Sequence, residues 1–310
     1  MPTNQDLEKD NLNGRTHSVA IGDSDLKGYH SFMLPTTVGS ASIRAISGNE
    51  ENILISRDNR KNPLGAFFDV VAAVCNGLPM TETSDGKKTV DWGSVWMDDL
   101  TFILFQARRL AYGDFFTFHI ECPGCGKGYD WEEDLCTTET LYASPEQQKI
   151  FSSYGMFSFE MPISGNRLKY KMGTARLAHI LQLKRQSDKD SLRTEALRLC
   201  VEEWNGKEIS PFVSEWTNLV GGDLRFLEQD MNKNRVGINT SVEPICPYCS
   251  TMASNVSMPV DSADFLLMPR NLKLRPDGRL TTLWGSRGIK NSSPVNSSDS
   301  SLPLKESDLG

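Results

Sequence analysis

The sequence is short of almost everything that marks a catalyst. Histidine occurs four times in 310 residues, at His17, His30, His119 and His179, and no two stand at the spacing of a metalloprotease helix. There is no phosphate-binding glycine loop, no dinucleotide glycine fingerprint and no nucleophile elbow. No apolar run approaches the roughly 20 residues needed to span a bilayer. Residues 1–13 are polar and lack the apolar stretch of a secretory signal. A basic surplus is missing too: 33 Lys and Arg against 40 Asp and Glu leave a net charge of −7 and a pI near 5.3. That balance argues against a protein whose main work is gripping nucleic-acid phosphates. Beyond two short cysteine motifs, no repeat of solenoid length appears.

What is present is cysteine, in a particular pattern. Cys122-Pro123-Gly124-Cys125 and Cys246-Pro247-Tyr248-Cys249 are both Cys-x-x-Cys with proline second. Each is flanked by alternating residues: Phe116, Phe118 and Ile120 before the first pair, Tyr129 and Trp131 after it, and Val256, Met258 and Val260 after the second. Alternation predicts half-buried strands. Strand, Cys-x-x-Cys, strand is the shape of a zinc knuckle, and two knuckles supply the four thiolates of a closed tetrahedral site. The spacing is unusual, because 120 residues (126–245) lie between the pairs. The intervening segment must therefore leave the ribbon and return to it. Two other readings stay open. Cys-Pro-Tyr-Cys is also a glutaredoxin-type sequence, but a redox motif needs a helix directly behind it, and residues 250–259 read as a turn and a strand. Four unligated thiols are the other. Seven cysteines, an odd number with four in metal-like pairs, suit a reducing compartment better than a disulfide framework. Of the remainder, Cys75 and Cys200 fall on apolar helical faces as small core residues, and Cys136 is a spare ligand that a filled site does not need.

Hydrophobic content of 38% is enough for a core. The fold class expected is α+β, mostly helical, with short antiparallel strands forming a zinc-ribbon-like module interrupted by a helical insertion. Residues 1–30 read as a flexible arm, 31–115 as a strand and helical region, 116–265 as the ribbon module with its insertion at about 137–240, 266–285 as a C-terminal extension and 286–310, rich in Ser and Asn, as a disordered tail. Ile43 and Ala45 suggest a short strand, and 52–55 a short apolar segment. Apolar spacing predicts helices over 63–76 and 98–112. In the second, Asp98 and Asp99 are read as a helix start rather than a catalytic pair, and Arg108 and Arg109 as the helix end. Met80 to Trp92 reads as a loop turning at Ser84-Asp85-Gly86. Ser164-Gly165-Asn166 is a hairpin turn between the alternating stretches around Phe157 and Leu168. Helices are then expected behind a Thr174 cap, through Leu192 to Cys200, from Ser210-Pro211, and through Leu224, Leu227 and Met231 to a stop at Gly237. His179 reads as packed. Asp261, Asp264 and the acids of 130–134 read as solvated.

The order of Leu34-Pro35, Gly39, Arg44, Asp98-Asp99 through Arg108-Arg109-Leu110-Ala111-Tyr112-Gly113, Cys122-Pro-Gly-Cys125, Cys246-Pro-Tyr-Cys249, Pro259-Val260-Asp261 and Phe265 resembles the T-even-type baseplate hub assembly proteins of contractile-tailed phages, including their zinc-ribbon-bearing relatives. The likeness runs over roughly residues 32–270. It implies a role in building the virion, as a baseplate hub assembly factor or a structural baseplate piece. Its partners would be other baseplate or hub proteins; the acidic charge and the lack of an apolar span lead us to expect no nucleic acid and no membrane, and homo-oligomerisation is left open. The place implied is the tail baseplate or the host cytoplasm during assembly. It implies no catalysis and names no active-site residue. Because that family does not always carry the cysteines, a Zn2+ cofactor rests on Cys122, Cys125, Cys246 and Cys249 themselves. The alternative is a zinc-ribbon nucleic-acid-binding or transcription-linked adaptor, which the acidic charge disfavours.

Overall fold

The structure, a computed structural model, describes residues 28–56, 63–178, 197–208, 221–254, 256–260, 263–267, 272–274 and 280–282. Most of the expected arm, the expected tail, His179, Leu192, Ala196, Ser210-Pro211 and Asp261 lie outside these residues.

In chain order the elements are β1 (His30–Met33), β2 (Ser40–Ile43), α1 (Gly48–Ile55), α2 (Pro63–Val74), β3 (Cys75–Asn76), β4 (Met80–Glu82), β5 (Lys88–Val90), α3 (Met97–Tyr112), β6 (Phe115–Glu121), β7 (Gly128–Asp134), β8 (Thr140–Leu141), α4 (Pro145–Ser152), β9 (Phe157–Glu160), β10 (Arg167–Tyr170), β11 (Val201–Trp204), β12 (Lys207–Glu208), α5 (Gly221–Lys233), β13 (Gly237–Ile238), β14 (Ser241–Val242), β15 (Val256–Ser257), α6 (Ala263–Leu266), β16 (Leu272–Leu274) and β17 (Leu280–Thr282). All strand pairs among the described residues are antiparallel.

The expectation of a mostly helical chain is wrong. The protein is mixed α+β, and strands in several small sheets outnumber helices among the described residues. The main error lies in the insertion, where β9 to β12 form a four-stranded sheet in the order β12-β11-β10-β9. The hairpin at Ser164-Gly165-Asn166 is present. What periodicity misses is β11: Val201-Glu202-Glu203-Trp204 follows Leu199 and Cys200 without alternating. Its conformation is set by pairing with β10, across a register shift between Lys169 and Tyr170. Smaller corrections have similar causes. Residues 80–90 form the hairpin β4–β5 rather than a loop. Cys75 sits in β3, paired with Ile43, because the helix ends at Val74. Gly237 opens β13 instead of closing a helix, since α5 stops at Lys233. Residues 48–55 are a helix, α1, fixed by a capping box between Ser47 and Glu50. Thr174 does cap a helical turn, its hydroxyl accepting from the Leu177 amide at 3.4 Å.

The larger core is built on α3. Leu100, Phe102, Ile103, Leu104, Phe105 and Ala107 are buried there against α2, β2 and α6. The helix forms because its apolar residues cover most of its circumference, and Gly113 ends it at φ +81°, its amide donating to the Arg109 carbonyl at 2.9 Å. No side chain caps its start; the Met97 amide instead donates to the Gly173 carbonyl at 2.9 Å, which ties α3 to the insertion. A second core gathers Trp96, Phe151, Phe157, Met161, Leu168, Tyr170 and Leu227, joining α4, α5 and the inner face of the four-stranded sheet. The outer face carries the ion pairs Arg167–Glu160 and Lys169–Glu203.

The charged residues at the two ends of α3 do more than the helix requires. Asp99 is buried and accepts from both the Thr36 amide (3.1 Å) and the Thr36 hydroxyl (2.7 Å), so it fixes the turn after β1. Asp98 pairs with Arg235 at 3.3 Å. Arg108 is 1% exposed and donates to three carbonyls, those of Phe265 (3.2 Å), Gly113 (2.8 Å) and Phe115 (2.7 Å). Its guanidinium lies over the rings of Phe116 and Phe265, 5.1 and 5.3 Å from their centroids. One side chain thus joins the end of α3, the start of β6 and α6. Burial lowers its pKa to about 10, which leaves it charged.

Two buried carboxyls shift in opposite directions. Burial raises Glu50, but the Arg44 fork and the Ser47 hydroxyl and amide outweigh it and hold Glu50 at about 2. Burial pushes Asp99 up to about 6 despite the Thr36 hydrogen bonds. A carboxyl raised above its unfolded value of about 3.9 favours the fold below that pH, and the contribution is lost as pH rises through the folded value of about 6. Asp99→Asn keeps an acceptor for Thr36 and removes the titration. Its stability relative to the parent should therefore rise between pH 4 and pH 6, as measured by denaturant unfolding across that window. A constant difference over the window would show that Asp99 titrates normally.

Candidate metal centre

Hairpin β6–β7 runs in unbroken register from Phe115↔Asp134 to Glu121↔Gly128, and the first cysteine pair forms its tip. The second pair tips a shorter hairpin, held by β14–β15 and by an Ile245↔Met252 bridge. The two tips have the same backbone. The Cys122 amide donates to the Lys127 carbonyl at 3.0 Å and the Gly126 amide to the Cys122 carbonyl at 2.9 Å. Likewise the Cys246 amide donates to the Thr251 carbonyl at 2.9 Å and the Ser250 amide to the Cys246 carbonyl at 2.9 Å. In both, the residue after the second cysteine is left-handed: Gly126 at φ +68° and Ser250 at φ +58°. Glycine takes that conformation freely, and serine holds it at a cost.

The two knuckles face each other, and all four Sγ atoms lie within 4.8 Å of one another. Two sulfur–sulfur contacts cross between knuckles, Cys122 to Cys249 at 3.5 Å and Cys125 to Cys246 at 3.8 Å. Four sulfurs around one ion with bonds of about 2.3 Å form a tetrahedron of edge about 3.8 Å. The observed spacing is close to that without any movement of the hairpins. Cys122 and Cys246 are buried and Cys125 and Cys249 exposed, so each knuckle gives one inner and one outer sulfur. No other grouping of three or more His, Cys, Asp or Glu among the described residues is close enough to hold an ion.

The surroundings fit the same purpose. The Gly124 amide donates to Cys122 Sγ at 3.3 Å. A Cβ on Gly124 would stand 2.7 Å from Thr251 Oγ1, so glycine is what lets the tips approach. Lys127 Nζ lies 5.0 Å from the centre of the Tyr248 ring, a cation–π contact across the two tips. Beneath the sulfurs Ile120, Tyr129, Cys122 and Cys246 make a small core of their own, flanked by Phe118, Trp131 and Val256.

The thiols do not share their protons equally. The Thr251 hydroxyl and amide, with the Cys122 sulfur, bring Cys249 down to about 6. For Cys125 the Lys127 amide favours the thiolate, but desolvation and hydrogen bonds to the sulfurs of Cys249, Cys122 and Cys246 outweigh it and the thiol rises to about 11. Desolvation, then the charge of the four sulfurs, raises Tyr129 as well. Negative charge is thus favoured on Cys249 and resisted on Cys125; a bound dication would favour the thiolate at every sulfur it touched.

The structure brings together the four cysteines singled out from the sequence and leaves the other three apart. Cys75 and Cys200 are buried, each pushed up to about 12 by burial. Cys136 is exposed and accepts from Arg109 Nη2 at 3.2 Å, away from the cluster. His119 pairs with Asp130 at 2.9 Å on the surface. Read from the sequence, Gly124, Ser250 and Thr251 have no role at the site, and Tyr129 is placed only as a flanking strand residue. Superposing the two motifs in sequence would have flagged Ser250, which stands where the first knuckle has Gly126. No family model matches the chain, and no curated protein or solved structure matches it either.

If the sulfurs form one site, Cys125→Ser and Cys249→Ser should each destabilise the fold by a similar amount, although 124 positions separate them (249 − 125). The double variant should cost clearly less than the sum, since the second change strikes a site already broken. Chemical unfolding of the three variants with metal present reads this directly, and strict additivity would show two independent pairs.

Proposed function

We propose that the protein is a non-catalytic structural or assembly component whose four cysteines hold one zinc ion as a staple, and that it serves with partner proteins in a contractile-phage baseplate hub. The observation carrying the metal reading is the convergence of four sulfurs within 4.8 Å from hairpins far apart in sequence. An all-thiolate tetrahedral set selects a soft or borderline ion, and zinc is the ion that such closed structural sites favour. The site leaves no protein ligand position open for a reacting water, which suits structure rather than hydrolysis. The acids with the most perturbed surroundings are spent on the fold: Asp99 on Thr36, Glu50 on Arg44 and Ser47, Asp98 on Arg235. The baseplate-hub part of the reading is supported by the order of motifs from Leu34-Pro35 to Phe265 and by the acidic charge, which suits protein partners better than nucleic acid. No helix among the described residues is long and apolar enough to cross a membrane.

Metal analysis of the purified full-length chain should give about one zinc per molecule, on the four-ligand rule. Mixing with hub and baseplate proteins should then yield a complex that Cys249→Ser weakens. Iron at the same stoichiometry, or protein without metal whose four thiols react freely, would contradict the zinc staple. Salt-sensitive micromolar binding to random duplex in place of protein binding would favour the adaptor instead.

A further inference from the structure

We propose that the four-cysteine site is oxidation-responsive: hydrogen peroxide converts the metal staple into two disulfides crossing between the knuckles, Cys122–Cys249 and Cys125–Cys246, and the zinc leaves. The release of zinc rests on the zinc reading above; the pairing rests on geometry alone.

Three observations carry it. The two sulfur–sulfur contacts with hydrogen-bond geometry both run between knuckles, at 3.5 Å for Cys122–Cys249 and 3.8 Å for Cys125–Cys246. Each of those pairs joins an exposed cysteine to a buried one. Both pairs connect the same two hairpins that the metal connects, so their closure leaves the chain path unchanged. Exposure governs which sulfur meets the oxidant, and proximity governs which sulfur resolves it.

The chemistry balances without a further reactant. The exposed sulfur of Cys125 or Cys249 attacks the peroxide. An S–O bond forms, the O–O bond breaks, and the departing hydroxide takes a proton to become water. The buried partner, Cys246 or Cys122, then attacks the sulfenic sulfur. An S–S bond forms, the S–O bond breaks, and a second water leaves. Each bridge passes two electrons to one peroxide. For the loaded site, a zinc tetrathiolate, two peroxides and four protons give a free zinc ion, two disulfides and four waters. Oxidation would then release the metal yet keep the hairpins tied, whereas a chelator would release it and leave them untied.

The test uses full-length protein carrying Cys136→Ser, which removes the exposed cysteine outside the cluster. Zinc is measured first. The protein as isolated is then titrated with hydrogen peroxide, with free zinc read by a chromogenic chelator, bridges mapped by non-reducing peptide mass analysis, and the thermal transition recorded. The expected result is one zinc freed per two peroxides, Cys122–Cys249 and Cys125–Cys246 as the bridges, and a cooperative transition that survives. Bridges within a knuckle, sulfinic acids in place of bridges, or loss of the fold on oxidation would overturn the proposal while leaving the zinc reading intact. Absence of zinc at the outset would overturn that reading and the release with it, and the mapped bridges would still decide the pairing.

Discussion

The structure depends on four sulfur atoms that meet from opposite ends of a long excursion of the chain. Between Cys125 and Cys246 the polypeptide builds α4, a four-stranded sheet and α5 before it returns. Closing a loop of that length costs conformational entropy, and something at the closure point must repay it. The apolar core beneath the knuckles is small: Ile120, Tyr129 and the two inner cysteines, with Phe118, Trp131 and Val256 at its edge. A cluster of that size gives little independent stability. A metal bound by the four thiolates would contribute its binding energy to the same closure.

Away from the site, the architecture is held by a few buried polar side chains that each fasten one segment of irregular backbone. Asp99 takes both donors of Thr36. Glu50 joins Arg44 to the start of α1. Asp223 accepts from the Ile163 and Ser164 amides at 3.0 and 3.1 Å and so pins the hairpin turn onto α5. Arg108 saturates three carbonyls where α3, β6 and α6 converge. None of these is needed for a hydrophobic core to form. Each satisfies backbone groups that burial would otherwise leave unpaired, and that fixes which way the loops run. β6 therefore starts from an anchored point, and the first knuckle at its far end is presented in a defined position.

How much of this could be read from the residues follows from the range of the interactions. The knuckles were legible because the signal is local: a cysteine pair, a proline, and alternation on both sides. Helix α3 was legible because its stripe is long. Val201–Trp204 was not, because its state is set by β10, whose paired residues lie 31 to 36 positions earlier (201 − 170 and 204 − 168), and by a bulge that propensity does not encode. The same limit applies to Asp99 and Arg108. At a helix end an acid in the first turn and a base in the last have a sufficient local explanation, so nothing in the sequence hints that Thr36 and Phe265 are their partners. The meeting of the two knuckles lies between these cases: the residue types announce a four-ligand site, and only the fold shows that a segment of this size can be looped out while the tips stay in register.

Cys122, Cys125, Cys246 and Cys249 are proposed to bind one zinc ion together. X-ray absorption at the zinc edge on the purified protein measures this most directly. The expected result is a single shell of four sulfur ligands at about 2.3 Å, falling to three sulfurs with one oxygen or nitrogen in Cys249→Ser. A shell dominated by nitrogen or oxygen, or a sulfur shell that Cys249→Ser leaves unchanged, would contradict it.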